Sequence, residues 1–403
     1  MGLLKYLFIL VLIVFPLGQI ARFEFGNGVA VTLNDIAVGI LFLTWVIVGL
    51  LKKNKIKGSL LCPIAIFSAI SLISLLLNTK ELLPSQFLTA FFYLMRWVFY
   101  SAIFFIVSGF DKKFKEQIIT LMTVCGALVI LFGFIQYFFY PALRNLYYLG
   151  WDEHLYRLFS TFLDPNFAGA FFVLYFILVL ASFFKELKNK KRLPSILFFI
   201  LTIASLASIY LTYSRSAIIM LFVSSSVFFI LLGKKKLILG LLGVSALVFI
   251  LFSRNFYIEN LNLLRIASSE ARLESAQNAI KIIQKNPVFG VGFNAYRYAQ
   301  IKYGFRSGPA SQISHADAGT DNSFLFVFAT TGIFGLFSYL FLIKKIFKRS
   351  LYSKKENGSR KFVAIILISS LSGIIVDSLF INSLFYVFIM EWIWILAGLN
   401  ESK

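Results

Sequence analysis

The chain has 403 residues, 59% of them apolar and 14% charged, with 48 phenylalanines and a mean hydropathy of +0.84. Ordinary soluble domains carry about 25% charged residues, so a soluble globular protein is excluded, and the apolar content suffices for roughly twelve bilayer spans of about 20 residues each. The net charge of +21 is then a question of membrane sidedness before it is one of nucleic acid, and Cys62 and Cys125, both inside apolar runs, offer neither a disulfide framework nor metal spacing.

Dividing the chain wherever a long apolar run ends in a polar cluster predicts an all-α polytopic membrane protein of about 12 transmembrane helices. The runs are approximately 3–20, 33–51, 59–77, 86–107, 117–140, 166–184, 194–211, 216–233, 237–252, 321–343, 362–380 and 384–399. The first run has a lysine before it, as a signal peptide does, but no clean small-residue cleavage site follows Pro16, so it is read as a helix. With the N-terminus in the cytoplasm, the turns reading KKNKIK, DKKFK, KELKNKKR, GKKK and KKIFKRSLYSKKENGSRK fall inside, and 25 basic residues lie inside against 13 outside. The positive-inside rule then puts both termini in the cytoplasm. Inside, the cations are mostly lysine; outside, 9 of the 13 are arginine, whose planar fork of donors suits phosphate.

Two of the expected outside segments are long, 141–165 and 253–320. The chain therefore divides into spans 1–9 (residues 1–252), an extracytoplasmic loop domain (253–320), and spans 10–12 with the cytoplasmic C-terminus (321–403). A loop of this length exceeds what a connection needs. It contains an expected amphipathic helix from about Glu270 to Lys285, with Leu273, Ala276, Ile280 and Ile283 on the apolar stripe, Ser269 as N-cap, and Asn286 and Pro287 as terminators.

Both histidines, His154 and His315, fall in these outside segments, and histidine alone titrates unperturbed near neutrality. A lone loop histidine is more often a surface residue than a catalyst. There is no HExxH, no CxxC and no histidine pair at helical spacing, so a built-in metal site is not expected. The GVGFN stretch at Gly290 and Gly292 follows a helix and a proline rather than a strand, which reads as a tight turn, not a dinucleotide site. Arg215 stands where two apolar runs meet almost without a linker, so it either snorkels to headgroups or meets the phosphate of a lipid-linked substrate. Arg272 is either the solvated face of its helix or, with Arg254, Arg265, Arg297 and Arg306, part of a loop rich in arginine beyond topological need. Arg96, Asp377 and Glu391 fall inside spans and need partners there; Arg96 and Glu391 are placed to pair across helices or to handle substrate or protons.

Four segments, in order, carry a resemblance to a known family: RLFSTFLDPNFAGAFF (157–172), LTYSRSAIIM (211–220), ARLESAQNAIKIIQKNPVFGVGFNAY (271–296) and TDNSFLFVFATTGIFGLFSYLFL (320–342). Together they resemble the O-antigen ligase and O-antigen polymerase superfamily of bacterial membrane glycosyltransferases. Many members have histidine directly before the asparagine of the last segment; here that position is Asp321, with His315 six residues earlier.

The resemblance implies a helical bundle with an external helical loop over a cavity open to the outer leaflet, in the bacterial cytoplasmic membrane. It implies a donor glycan on a polyprenyl pyrophosphate and an acceptor that is a glycan or lipid-anchored sugar, with membrane lipids but no nucleic acid as partners. Arg215 and Arg272 would neutralise the leaving pyrophosphate, Arg265, Asn322 and Arg157 would add substrate contacts, and His315 or Asp321 would be the base. No metal or cofactor is required. A transporter or flippase is the rival reading, resting on Arg96, Asp377 and Glu391, and a non-catalytic scaffold is a third. Transporters concentrate polar groups at the midplane, whereas here the histidines and most arginines lie outside.

Overall fold

The computed structural model describes residues 2–26, 28–53, 56–238, 240, 243, 267–306, 318–356 and 358–401. Among them the regular secondary structure is helical except for one small hairpin. Its helices are α1 (Gly2–Val14), α2 (Leu33–Leu51), α3 (Leu61–Leu77), α4 (Pro84–Ser108), α5 (Lys112–Phe139), α6 (Pro165–Lys188), α7 (Arg192–Leu211), α8 (Arg215–Leu231), α9 (Ala267–Lys285), α10 (Tyr296–Lys302), α11 (Ser323–Ser353), α12 (Ser359–Asp377) and α13 (Val387–Asn400). Strands β1 (Arg22–Glu24) and β2 (Ala30–Thr32) pair antiparallel, Arg22 opposite Thr32.

Seven helices, α2, α4, α5, α6, α7, α11 and α12, are long and apolar enough to cross a membrane, and α1, α3, α8 and α13 are shorter apolar helices. Eleven of the expected runs are thus helical, and the ninth, 237–252, lies almost wholly outside the described residues. The first helix stops at Val14 because Pro16, which lacks an N–H, follows, and the chain continues as a 3-10 turn, Phe15–Leu17.

Helix α6 is buried on all sides from Ala168 to Ser182, the signature of a helix apolar around its whole circumference. It packs beside α13, with the Phe171 and Trp392 rings 5.1 Å apart and Phe162 stacked on Phe388 at 4.9 Å. Where α8 meets α12 the contact residues are small: Ser224, Ser225, Ser369 and Ser370 are fully buried, and a Cβ on Gly373 would lie 1.9 Å from the Ser224 hydroxyl. Small side chains let backbones approach, the main source of packing between helices that share a lipid solvent.

Arg96 and Glu391 do not pair. Arg96 bonds Asp35 at 2.8 Å, while Glu391 accepts from Asn34 at 2.6 Å, and Tyr100 links the two groups by accepting from Asn34 (3.1 Å) and donating to Asp35 (3.0 Å). The cause is local: Asp35 is held at the start of α2 by a reciprocal cap with Thr32, which puts a carboxylate beside Arg96 of α4.

The helix expected between Glu270 and Lys285 also differs from expectation. It begins at Ala267, so Ser269 is inside it rather than capping it. Its buried face is Ala279, Ile282 and Ile283, packed with Tyr296, Phe326 and Ala329, whereas Leu273 and Ile280 are exposed. The small Ala279 admits α11 closely; of the expected stripe Ile283 is docked, whereas Leu273 and Ile280 are not.

Candidate functional site

The ends of α5, α7 and α12, the starts of α6, α8 and α11, and the short helices α9 and α10 meet at one end of the bundle, here termed the loop end. Backbone strain concentrates there. Of the described non-glycine residues with positive φ, His154, Tyr156, Ser160, Leu163, Tyr213 and Asn294 belong to this end, against Lys53 and Lys190 elsewhere. Such conformations are costly for bulky residues and persist only where surrounding structure imposes them, often at functional sites.

Gln136, inside α5, imposes part of it. Its carbonyl accepts from Phe159 N (2.8 Å) and Ser160 N (3.0 Å), and its amide donates to Arg157 O (3.3 Å). Arg157 is thereby buried, 4% exposed, with Nε donating to Thr212 O (2.8 Å) and a terminal nitrogen to Asn166 Oδ1 (3.3 Å). It ties the 157–160 segment to the turn before α8. Asn166 Oδ1 also accepts from the Ser214 hydroxyl (3.1 Å), and Asp164 caps α6 through Asn166 N (2.7 Å). The Pro-Asn and Ser-Arg motifs, far apart in sequence, are thus one bonded unit.

Above that unit, Tyr213 adopts a left-handed conformation and α8 begins at Arg215. Arg215 is half-buried, as is Arg272 on α9, and the two charges repel each other. Arg215 also stands at the positive end of the α8 dipole, where a cation is disfavoured and an anion favoured.

Asp321 lies just outside α11. Its N–H donates to the Ser275 hydroxyl (3.2 Å), which is 3.1 Å from the Thr320 hydroxyl. Burial pushes the Asp321 pKa up to about 6; Arg272 opposes this, and Asp164 and Asp152 add to it. Asp377, fully buried at the end of α12, sits beside Ser216 and Ser383 and within the fields of Arg272 and Asp164. Arg272 therefore acts on Arg215, Asp321 and Asp377 at once.

Asn322 has a different setting. Its carbonyl caps α11 by accepting from Phe324 N (2.9 Å) and Leu325 N (3.0 Å), and its amide donates to Leu379 O (3.1 Å). Ser323 continues the clasp, its N–H donating to Ser378 O (2.8 Å). His315 and Arg265 lie outside the described residues. His154 is placed in the 141–164 segment, its ring 6.5 Å from Phe159. Gln136, Asp164, Ser275 and Asp377's neighbours Ser216 and Ser383 were not among the sequence candidates, although Asp164, Ser216 and Ser275 lie within the quoted family segments and Gln136 is an uncharged polar residue within an apolar run.

The glycine-rich stretch is a turn, as expected, and it enters a break in α11. Gly332 has non-helical backbone (φ 68°, ψ −168°) within that helix. The 287–292 turn supplies partners to the interrupted ladder: Val291 N bonds Ala329 O (2.9 Å), Gly292 N bonds Thr330 O (3.0 Å), and Ile333 N bonds Pro287 O (2.9 Å). From α3, the Ser74 hydroxyl donates to Thr330 O (2.8 Å) and Asn78 to Gly290 O (3.1 Å). Non-helical backbone at membrane depth is tolerated where protein satisfies it in this way.

These features define a multi-pass helical membrane protein with an arginine-rich, carboxylate-containing site at one end. A family model described as O-antigen ligase matches residues 197–340. That match contains Arg215, Arg272, Asp321, Asn322 and the interlocked glycine turn, and it supports the O-antigen ligase and polymerase superfamily, with glycan transfer in membranes as its general activity. A comparison with curated proteins found no match.

Proposed function

We propose that the protein transfers or polymerises a glycan from a polyprenyl-pyrophosphate donor onto a glycan or lipid-anchored acceptor, at the outer face of the bacterial cytoplasmic membrane. The observation that carries this is Arg215 against Arg272 at the positive end of α8. A helix N-terminus and two like charges that act on one another both favour an anion at that place. The acceptor oxygen attacks the anomeric carbon, the bond from that carbon to the pyrophosphate oxygen breaks, and the acceptor proton passes to Asp321 or His315. Pyrophosphate leaves with its charge met by Arg215 and Arg272, a task that needs always-charged, bidentate donors and that this reading does not assign to a metal.

The transporter reading has less to draw on. Arg96 is occupied by Asp35 and Glu391 by Asn34, while Asp377 belongs to the loop-end site. The test is transfer from a purified lipid-linked donor. Arg215→Lys keeps charge but loses the fork and should retain part of the activity, and Arg215→Ala very little. Near-normal transfer by Arg215→Ala would refute the reading.

A further inference from the structure

The β1–β2 hairpin is built inside out. One face carries Arg22, half-buried with its guanidinium 5.5 Å from the Trp151 ring centre, together with Ala30 and Thr32, which are buried opposite Glu24 and Arg22. Glu24 stands exposed at the rim of that face, 3.3 Å from Arg22. The other face carries Phe23, 51% exposed, with Val31 across from it and Phe25, 71% exposed, beside the turn. An antiparallel pair with one face in water shows the reverse order, apolar side chains inward and polar ones outward.

The apolar face continues a larger surface. On α1 and just beyond it, Leu3, Tyr6, Leu10, Ile13, Leu17 and Ile20 are exposed at intervals of three and four residues, the spacing of one helix face. Phe23 and Phe25 come next, so the interval shortens to two where helix gives way to strand. Helix α2 packs on α1, starts directly after β2, and bears a second exposed stripe at Ile36, Ile40, Leu43 and Ile47. Both stripes consist of large side chains, unlike the serine and glycine contact between α8 and α12. Helices that pair within a bilayer do so through small residues, so these stripes suit lipid rather than a second copy of the chain.

Backbone chemistry limits how deep the hairpin can sit. A two-stranded sheet has an open edge on each strand, and unpaired N–H and C=O groups are not tolerated in hydrocarbon, whereas the hydrated headgroup layer satisfies them. We infer that the Phe23 and Phe25 face docks on the bilayer at the boundary between headgroups and acyl chains, while the Arg22 face lies against the loop-end site. The Gln19 N–H, which donates to Thr161 O at 2.7 Å, ties the hairpin's approach to the 157–164 segment. The hairpin thereby sets the loop-end site at headgroup depth, where the phosphate of a lipid-linked molecule lies. This needs only a chain that spans a membrane and stands apart from the glycan-transfer reading.

Nitroxide labels at Phe23→Cys and Phe25→Cys test it in vesicles of phosphatidylethanolamine and phosphatidylglycerol, in a full-length Cys62→Ser background whose remaining thiol, Cys125, is buried and which serves as the blank. Collisions with oxygen, which partitions into lipid, are compared with collisions with a water-soluble nickel chelate. Leu10→Cys marks the lipid-facing stripe, and Lys80→Cys, at an exposed cation after α3, marks water. The oxygen-to-nickel ratio at Phe23 and Phe25 should exceed that at Lys80 severalfold and fall below that at Leu10. A ratio equal to that of Lys80 would put the face in water, and shielding from both reagents would put protein over it; either overturns the docking. A ratio as high as that of Leu10 would sink the hairpin into hydrocarbon and overturn its interfacial position. The readout is independent of transfer activity, so its failure is distinguishable from failure of the glycan-transfer reading.

Discussion

Gly290 and Gly332 close on one another's segments: a Cβ on Gly332 would lie 2.0 Å from Val288 O, and one on Gly290 would lie 2.4 Å from the carbonyl carbon of Thr330. Each glycine makes room for the backbone that the other's segment presents, so the turn and the broken helix are specified jointly. Gly332→Ala should therefore meet both a steric clash and a backbone conformation open essentially to glycine alone, the latter worth about 1–3 kcal/mol. Gly304 supplies the comparison, since it also has positive φ (70°) but nothing within 4 Å of a Cβ. Thermal unfolding in detergent should show a much larger loss for Gly332→Ala than for Gly304→Ala; equal losses would mean that the clasp contributes little.

If Asp321 is the base, its ionisation sets the acid limb of turnover. With its pKa raised to about 6, it is protonated and unable to accept a proton at lower pH, so transfer should rise as pH increases through about 6. His315 would give a limb in a similar range, and charge perturbation separates them. Asp164 raises the Asp321 pKa, and Asp164→Asn keeps a good helix cap, so this variant should move the limb to lower pH if Asp321 is the base. Asp321→Asn should then cost on the order of 10²–10⁴ in rate. An unmoved limb in Asp164→Asn with near-parent rates in Asp321→Asn would exclude it.

The same ionisation bears on stability. A carboxyl with a folded-state pKa above its unfolded value of 3.8 loses native protons on ionising, so its contribution falls as pH rises from about 4 to about 6 and stays low above that. Asp321→Asn should be more stable than the parent at pH 7 and indistinguishable near pH 4, measured by melting temperature across that range.

Asn322 should separate capping from binding. Asn322→Ala removes the acceptor for two helix N–H groups and should cost about 0.5–2 kcal/mol, whereas Asn322→Asp keeps the cap and loses only the bond to Leu379 O. If Asn322 also contacts substrate, Asn322→Asp will raise KM although its melting temperature stays near that of the parent.

Sidedness is testable directly. Reporter fusions at Lys235 and Lys355 should report cytoplasm and one near Gly308 the exterior, following the 25 to 13 division of basic residues. An external signal at Lys355 would reverse the arrangement proposed for the site.

Much of this protein is written locally. Apolar runs bounded by charge locate eleven described helices, although α11 runs on to Ser353 where its apolar run was expected to end at 343, because hydrocarbon tolerates neither charges nor open backbone and the rule acts on each segment separately. Asn286 and Pro287 end α9 and Arg215 falls at a helix start, as the chain alone implies, whereas α1 stops at Val14, ahead of Pro16, although its apolar run continues to residue 20. What required the tertiary structure is everything that depends on which helices are neighbours. The partner of Arg96 is Asp35 rather than Glu391 because a capped α2 lies against α4. The face of α9 that docks carries Ala279 rather than Leu273, since in a membrane protein apolar residues face lipid as readily as protein and periodicity does not say which stripe is buried. The meeting of Arg215 with Arg272, and of Gly290 with Gly332, joins residues 57 and 42 positions apart; no local preference encodes such a contact, because its energy appears only when the bundle brings the two segments together.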